Sequence, residues 1–354
     1  MKVMKRIAPL CAVVALCGCH FGEGPNLGAP SAGGKHHKSH HHAHTISFDR
    51  LPGWQDDALE DALPVFLQDC HKVASLPAGK RADGMLFTGY YEPEIRGSLR
   101  RGGIYQTPVY RRPPDLVRER DAQGKVVTGR SEDGRIVPYW TRAQIDQGVL
   151  AHRKLELLWL ADPVDLFFLQ LQGAGRVRLP NDKVIRLGFD GLNGQPYVPL
   201  GRVMVAQGLL KPDDVNMASI RNWLEANPQK AMDMMEQNPN YVFFRELDPG
   251  DTQAGAPGAL GVPLTPGRSM AVDRDFIPLG SPVWVQAQVP VDGHPVTWQR
   301  LDFAQDLGTD IKGPDRADLY MGWGPEAAQA AGNLRSPGQM IVLVPRSGEA
   351  EKKH

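Results

Sequence analysis

Apolar positions along this chain recur with two periods, and the places where one gives way to the other mark short elements joined by turns. Trp54–Val73 carries Leu59, Leu63, Phe66 and Leu67 at helical spacing, with Pro64 as an expected kink. Gly84–Ile95 (GMLFTGYYEPEI) predicts an aromatic-rich strand that ends at Pro93, on which Tyr90 and Tyr91 alternate sides. Gln106–Pro114 leads into a different region. There Asp115–Gly134 reads as charged and loop-like, and Thr141-Arg142-Ala143-Gln144 as a capping box opening a short helix. Asp162–Gln172 (DPVDLFFLQLQ) predicts the strongest strand, with Phe168, Gln170 and Gln172 on one face and Phe167, Leu169 and Leu171 on the other. Val184–Phe189 predicts another strand before the turn Asp190–Gln195. Pro199–Gln207, Asp213–Ala226 and Gln229–Gln237 read as helices, the second with Asp213 as its cap.

Strand signals return at Asn238–Arg245. Beyond the Gly/Pro linker Leu247–Ala259 they recur at Ser269–Val272, Pro282–Ala287, Val296–Phe303, Ala317–Met321 and Gln339–Val344. A short helix, Pro325–Ala331, begins with proline at its first position. Counted together, these six short strands fit a small closed barrel. Composition agrees: 30 prolines and 38 glycines in 354 residues favour turns and strands over a helical bundle. The length admits two domains. Forty basic residues balance 40 acidic ones, so no global field draws the chain to nucleic acid or to an anionic bilayer.

The N-terminus changes the picture. Lys2, Lys5 and Arg6 precede the apolar run Ile7–Cys17, which is too short for a permanent membrane helix. The run closes on Leu16-Cys17-Gly18-Cys19, similar to a bacterial lipobox in which Cys19 becomes the lipidated first residue. An ordinary cleaved signal is the alternative, and either one exports the protein. His20 in place of Asp after the lipidated cysteine points by convention to an outer-membrane lipoprotein facing the periplasm. Phe21–Thr45, with its run of histidines, cannot bury enough apolar surface to fold and reads as a tether. Its histidines suit adventitious Zn²⁺ or Ni²⁺. Cys70 is left without a partner and reads as a small core residue, so no metal site is built from it.

Candidate chemistry concentrates in Leu301–Gly324 (LDFAQDLGTDIKGPDRADLYMGWG). The stretch holds Asp302, Asp306, Asp310, Asp315 and Asp318, and the expected strands Val296–Phe303 and Ala317–Met321 flank its glycine- and proline-bearing turn Gly308–Pro314. Two such strands could hold Asp306 and Asp318 together at one end of a barrel, where carboxylates push their pKa values apart. The same acids also suit a solvated loop facing Lys312 and Arg316. The strand expected at Asp162–Gln172 runs into Gly173-Ala174-Gly175-Arg176, a setting for hydrogen bonds to sugar hydroxyls. The glycine run lacks the strand-to-helix context of a dinucleotide site, so no cofactor is expected.

Four segments in order carry a family resemblance: FTGYYEP at Phe87–Pro93, DPVDLFFLQLQGAGR at Asp162–Arg176, NPNYVFFREL at Asn238–Leu247, and the acidic strand pair with GWGPEAAQAAG at Gly322–Gly332. Together they resemble the membrane-bound lytic transglycosylase A family, peptidoglycan-cleaving lipoproteins of Gram-negative bacteria. The last stretch is also similar to the 3D domain, named for its three aspartates. The resemblance implies a mainly β fold with a few short helices: a double-psi β-barrel, with a second, smaller β-barrel inserted across a groove. The double-psi barrel would take residues 46–106 and 238–348, with the 3D segment at about 268–345, and the insert residues 107–237.

The resemblance also assigns roles. Asp318, in Ala317-Asp318-Leu319-Tyr320, maps onto the family's catalytic acid, and Asp306 onto a supporting carboxylate. Thr88, Gly89 and Tyr90 of FTGYY, with Gln170, Gln172 and Gly173 of FLQLQG, map onto the substrate groove. Asp310 departs from the pattern, because a small apolar residue is expected before Ile311. The implied activity is that of an exo-acting lytic transglycosylase, a lyase that cleaves the MurNAc–GlcNAc β-1,4 bond without water and leaves a 1,6-anhydro end. The implied partners are peptidoglycan strands and, through the lipid, the outer membrane; cell-wall synthesis or scaffold proteins are further candidates. Two other readings predict different products. A two-carboxylate hydrolase using Asp318 with Asp306 or Glu92 releases reducing ends, and a non-catalytic wall-binding lipoprotein releases nothing.

Overall fold

The computed structural model describes residues 48–70, 81–120, 126–248, 253–291 and 294–343. The expected signal, Cys19, the histidine tether and the side chain of Cys70 lie outside that set. The described strands in chain order are β1 (Arg81–Glu92), β2 (Glu94–Ser98), β3 (Thr107–Tyr110), β4 (Leu116–Arg120), β5 (Val126–Glu132), β6 (Arg135–Pro138), β7 (Glu156–Leu160) and β8 (Ala174–Arg178). They continue with β9 (Val184–Leu192), β10 (Val242–Glu246), β11 (Ser269–Val272), β12 (Pro282–Val291), β13 (His294–Asp306), β14 (Arg316–Trp323) and β15 (Arg335–Val342).

Six of these strands close a barrel in the order β1-β14-β11-β13-β12-β15, with β15 pairing back onto β1. The β1–β14 and β11–β13 pairs are parallel. Alternation along each strand separates an inside from an outside. Met85 and Phe87 of β1, Met270 and Val272 of β11, and Ala317 and Leu319 of β14 share the inner core. The intervening residues Thr88, Tyr90, Ala271, Asp318 and Tyr320 therefore face outward. On another part of the outer wall, the helix Leu59–Cys70 packs Ala62, Val65 and Phe66 against Trp284, Leu301 and Phe303. Pro64 lies within that helix without ending it.

The expected count of six barrel strands holds, but its membership changes. Asn238–Arg245 is not among them; its strand β10 pairs with β9, and β1 from the N-terminal half takes the sixth place. Alternation marks a strand as half-buried but does not say which neighbour it hydrogen-bonds. The second sheet runs β10-β9-β8-β2-β7-β3, and a bridge from Arg111 to Phe244 draws its two ends together. Hydrogen bonding thus carries this sheet out to β2 and β10, beyond the expected insert bounds of 107 and 237.

Two local readings are corrected. Pro163–Gln172 is an α-helix, not the strongest strand. The Asp162 carboxylate caps it by accepting from Val164 N, Pro163 occupies its first turn, and Gly173 ends it at φ 78°. The segment is apolar nearly all round because it is covered on two sides. Leu166 and Leu169 meet the sheet, while Val164, Phe167 and Phe168 meet the helices Leu200–Ala206, Met217–Ala226 and Pro228–Met235. A short run buried on all faces loses its period. The charged stretch Asp115–Gly134 is also not loop-like in its described residues, since β4 and β5 lie within it and form a small sheet with β6. Its hairpin signal is Asp133-Gly134, both at positive φ (50° and 74°), in a stretch too exposed to show strong alternation. The Thr141 capping box forms as expected, whereas Asn216, and not Asp213, caps Met217–Ala226.

The insert depends on one buried cation. Arg142 donates to Gln170 Oε1 (2.6 Å), Asn238 O (3.1 Å) and Asn240 O (2.9 Å). Arg142→Met leaves those three buried acceptors unmatched and should cost about 3 kcal/mol. At roughly 2–4 °C per kcal/mol, thermal denaturation should show a loss of roughly 6–12 °C.

Candidate active site

Strand register assembles the acidic pair. Ala271 on β11 is the partner of Asp306 on one side and of Asp318 on the other, and Asp318 is in turn the partner of Thr88 on β1. Residues level across neighbouring strands point to the same face. The row therefore lies on the outer wall of the barrel, and not at its end as the strand pattern predicts.

The Thr88 hydroxyl donates to Asp318 Oδ1 at 2.8 Å and accepts from Arg316 Nη2 at 3.2 Å. The guanidinium thus polarises the hydroxyl toward the carboxylate. Asp318 Oδ2 has no hydrogen-bond partner among the described residues, and Asp318 is only half-buried, so that oxygen is left for a ligand. Asp306 is held differently. Tyr90 donates its hydroxyl to Oδ2 at 3.0 Å, Ala259 N donates to Oδ1 at 2.9 Å, and the Leu307 N–H adds a third donor.

Burial pushes the Asp318 carboxyl up to about 6, and the charges of Asp306 and Asp310 push the same way, against the Thr88 hydrogen bond and the Arg316 charge. Burial also raises Asp306, while its three donors hold it back. Burial and the two carboxylates keep the Tyr90 phenol protonated, so it serves as a donor.

Of the residues expected in the groove, Thr88 and Tyr90 join the two acids. Gln172 stands at the edge of the insert, where its Oε1 accepts from Tyr91 N at 3.0 Å and its Nε2 donates to Met217 Sδ. Gln170 is buried, with both ends of its amide engaged by Arg142 and Val242 O, so it presents no face to a ligand. Gly173 is the left-handed cap of its helix. Gly89 admits the helix Gly324–Asn333, because a Cβ there would lie 2.8 Å from Ala331 Cα. Gln170 and Gly89 are thus taken up by packing within the protein, and Gly173 shapes the end of its helix. For Gln170, a motif read as a strand puts the side chain on a face that the helix turns inward.

The local pattern does not reveal the hub beside the acids. Glu92, at the end of β1, accepts from Tyr320 OH (2.7 Å), from Arg176 Nε (3.1 Å) and from Ala256 N. Arg176 stacks on Trp323 at 3.8 Å. Glu92 is 1% exposed and fully engaged, so it is not a second carboxylate for activating water. No spacing along the chain marks it, since its partners lie up to 228 residues away. No cluster of His, Cys, Asp and Glu suited to a metal occurs among the described residues.

Comparisons with known proteins fit this geometry. Residues 86–245 match the family described as the MltA specific insert domain, and residues 268–344 match the 3D domain. A membrane-bound lytic murein transglycosylase A of Vibrio cholerae is 31% identical over 281 residues, which span 77% of this chain and 68% of that one. The crystal structure of a membrane-bound lytic murein transglycosylase from Agrobacterium tumefaciens aligns with TM-score 0.76 at 29% identity, covering 85% of this chain and 97% of that one. Escherichia coli MltA with bound chitohexaose aligns with TM-score 0.64 at 28% identity, covering 84% and 86%. The mainly β fold with a double-psi barrel is the one these structures share.

The site makes a prediction independent of substrate. A carboxyl-carbon NMR titration should place the Asp318 midpoint near 6, far above an ordinary aspartate. Thr88→Val removes a hydrogen bond to the ionised form, so the midpoint should rise. Asp306→Asn removes a repelling charge, so it should fall. The opposite order would overturn this account of the site.

Proposed function

This chain belongs to the membrane-bound lytic murein transglycosylase A family, and we propose that it cleaves the MurNAc–GlcNAc β-1,4 bond of peptidoglycan with Asp318 as sole acid and then base. The observation that carries the reading is the inequality of the two carboxylates. Both oxygens of Asp306 accept hydrogen bonds, from Tyr90 and from Ala259 N, while Asp318 has one donor and an oxygen to spare.

The protonated Asp318 gives its proton to the glycosidic oxygen, and the C1–O bond breaks with its electron pair leaving on the GlcNAc O4. The carboxylate then takes the proton of the muramyl C6 hydroxyl as that oxygen bonds to C1. Asp318 ends as it began, no water is consumed, and the product is a 1,6-anhydro ring. An internal nucleophile needs no second carboxylate to activate water, unlike the paired acids of ordinary glycosidases. Its proximity substitutes for a separate reactant, an advantage of roughly 7–11 kcal/mol in the best intramolecular cases. Thr88, polarised by Arg316, steadies the carboxylate between the two steps. Asp306 supports by charge and by fixing Tyr90. The relatives' names support a membrane-associated enzyme acting on murein; lipidation at Cys19 and a periplasmic outer-membrane location are the anchor we propose for it.

The test is mass spectrometry of fragments released from purified sacculi. Anhydro-ended muropeptides are expected from the wild type. Asp318→Asn should lower their rate by at least the usual acid–base factor, about 10²–10⁴. Reducing ends would favour the hydrolase instead, and near-normal turnover by Asp318→Asn would remove Asp318 from its role.

A further inference from the structure

Strand β2 leaves Glu92 and carries the chain roughly 15–20 Å along the insert before it turns back as β3. At that turn Gly102 N donates to Tyr105 O (3.2 Å) and Tyr105 N to Gly102 O (3.0 Å). Gly103 takes a positive φ of 54° at the first apex position, and Ile104 fills the second. The loop is braced from within. Arg101 Nε donates to Gln106 Oε1 (2.8 Å), Gln106 Nε2 to Gly103 O (2.9 Å), and Arg100 N to Ser98 Oγ (3.1 Å). The Arg101 guanidinium also lies over the Trp159 ring at 5.2 Å.

What this braced tip presents is apolar and cationic. Leu99 (56% exposed) and Ile104 (58%) are the most exposed large apolar side chains among the described residues. A turn apex ordinarily carries glycine or a polar residue. Charge is balanced over the chain but not here: Ile95–Pro114 contains Arg96, Arg100, Arg101, Arg111 and Arg112 and no acidic residue. Arg112 approaches Asp190 at 3.8 Å and Arg178 approaches Glu94 at 3.9 Å. Arg96, Arg100 and Arg101 form no ion pair among the described residues.

We propose that the Leu99–Ile104 tip docks on an anionic phospholipid surface, its two aliphatic side chains entering the headgroup boundary and its arginines meeting lipid phosphates. A hydrated glycan offers no place for exposed aliphatic side chains, whereas a bilayer surface takes both features together. Two such side chains bind weakly alone. On a chain already held at the membrane the contact becomes intramolecular, and a small advantage suffices. The insert is then held to the surface as well as the N-terminal end, which fixes the orientation of the enzyme. The inference rests on the membrane association proposed above and not on the reaction.

The experiment places a tryptophan at the tip of the full chain and reads its quenching by vesicles with brominated acyl chains, relative to the unsubstituted chain. In vesicles of phosphatidylethanolamine and phosphatidylglycerol, Ile104→Trp should be quenched. Phe276→Trp, at a half-exposed position on the barrel, should not. Adding Arg96→Gln and Arg100→Gln, whose side chains do not brace the loop, should weaken insertion of the tip on the order of tenfold or more. Phosphatidylcholine vesicles should weaken it too, as should about 1 M salt, where the screening length falls to about 3 Å. Equal quenching at the two positions, or tip quenching indifferent to lipid charge, would overturn the inference. Vesicle-bound chain with no quenching at the tip would overturn it while leaving the membrane association standing, and a chain that does not co-sediment with vesicles would remove both. An unquenched tip whose arginine variants lose binding to sacculi would assign it to the anionic wall instead.

Discussion

A buried carboxylate must find its donors inside the protein, and Glu92 takes them from three directions at once. Tyr320 comes from β14, Arg176 from the insert strand β8, and Ala256 from the segment returning to the barrel. Removing one partner of such a buried charge pair typically costs about 3–5 kcal/mol, so the junction is stiff. Pro93 follows at once, and β2 then enters the second sheet. The barrel and the insert are thus joined at a point fixed two residues along β14 from Asp318. That junction sets where the insert stands relative to the acid.

The row Thr88, Asp318, Ala271, Asp306 needs no loop to assemble it. Parallel pairing of β1 with β14 and of β11 with β13 brings these residues level on the outside of a wall whose inside is packed with Met85, Phe87, Met270 and Leu319. Side chains on strands of a closed barrel move little, which suits the proposed reaction, in which one carboxyl serves two proton transfers in succession. The alanine at the centre of the row is small enough to lie buried under Ile311 between Tyr90 and Tyr320.

Much of this is legible in the order of residues alone. The C-terminal strands, the capping box at Thr141 and the grouping of Asp306 and Asp318 with Thr88 and Tyr90 all lie in local pattern or in family motifs. What escapes has a common physical cause. The helix Pro163–Gln172 is covered on both sides, so its period vanishes, although Asp-Pro at its start and Gly after it are cap signals in plain view. With a strand assigned there, Gln170 turns toward a ligand when it belongs to Arg142. The sixth barrel strand, the Glu92 hub and the Arg316–Thr88 contact are pairings across more than 80 residues of chain, and no local window contains them.

The Thr88–Asp318 hydrogen bond spans 230 positions in the chain. Because β1 closes the barrel between β14 and β15, the first strand of the wall has no permanent neighbours until nearly all of the chain exists. Contacts so distant in sequence form late and slowly. A nascent or truncated chain that ends before β14 lacks the acid altogether, and one that ends before β15 lacks a closed wall to hold it. The topology therefore makes the acid and the wall that holds it the last parts of the fold to be completed.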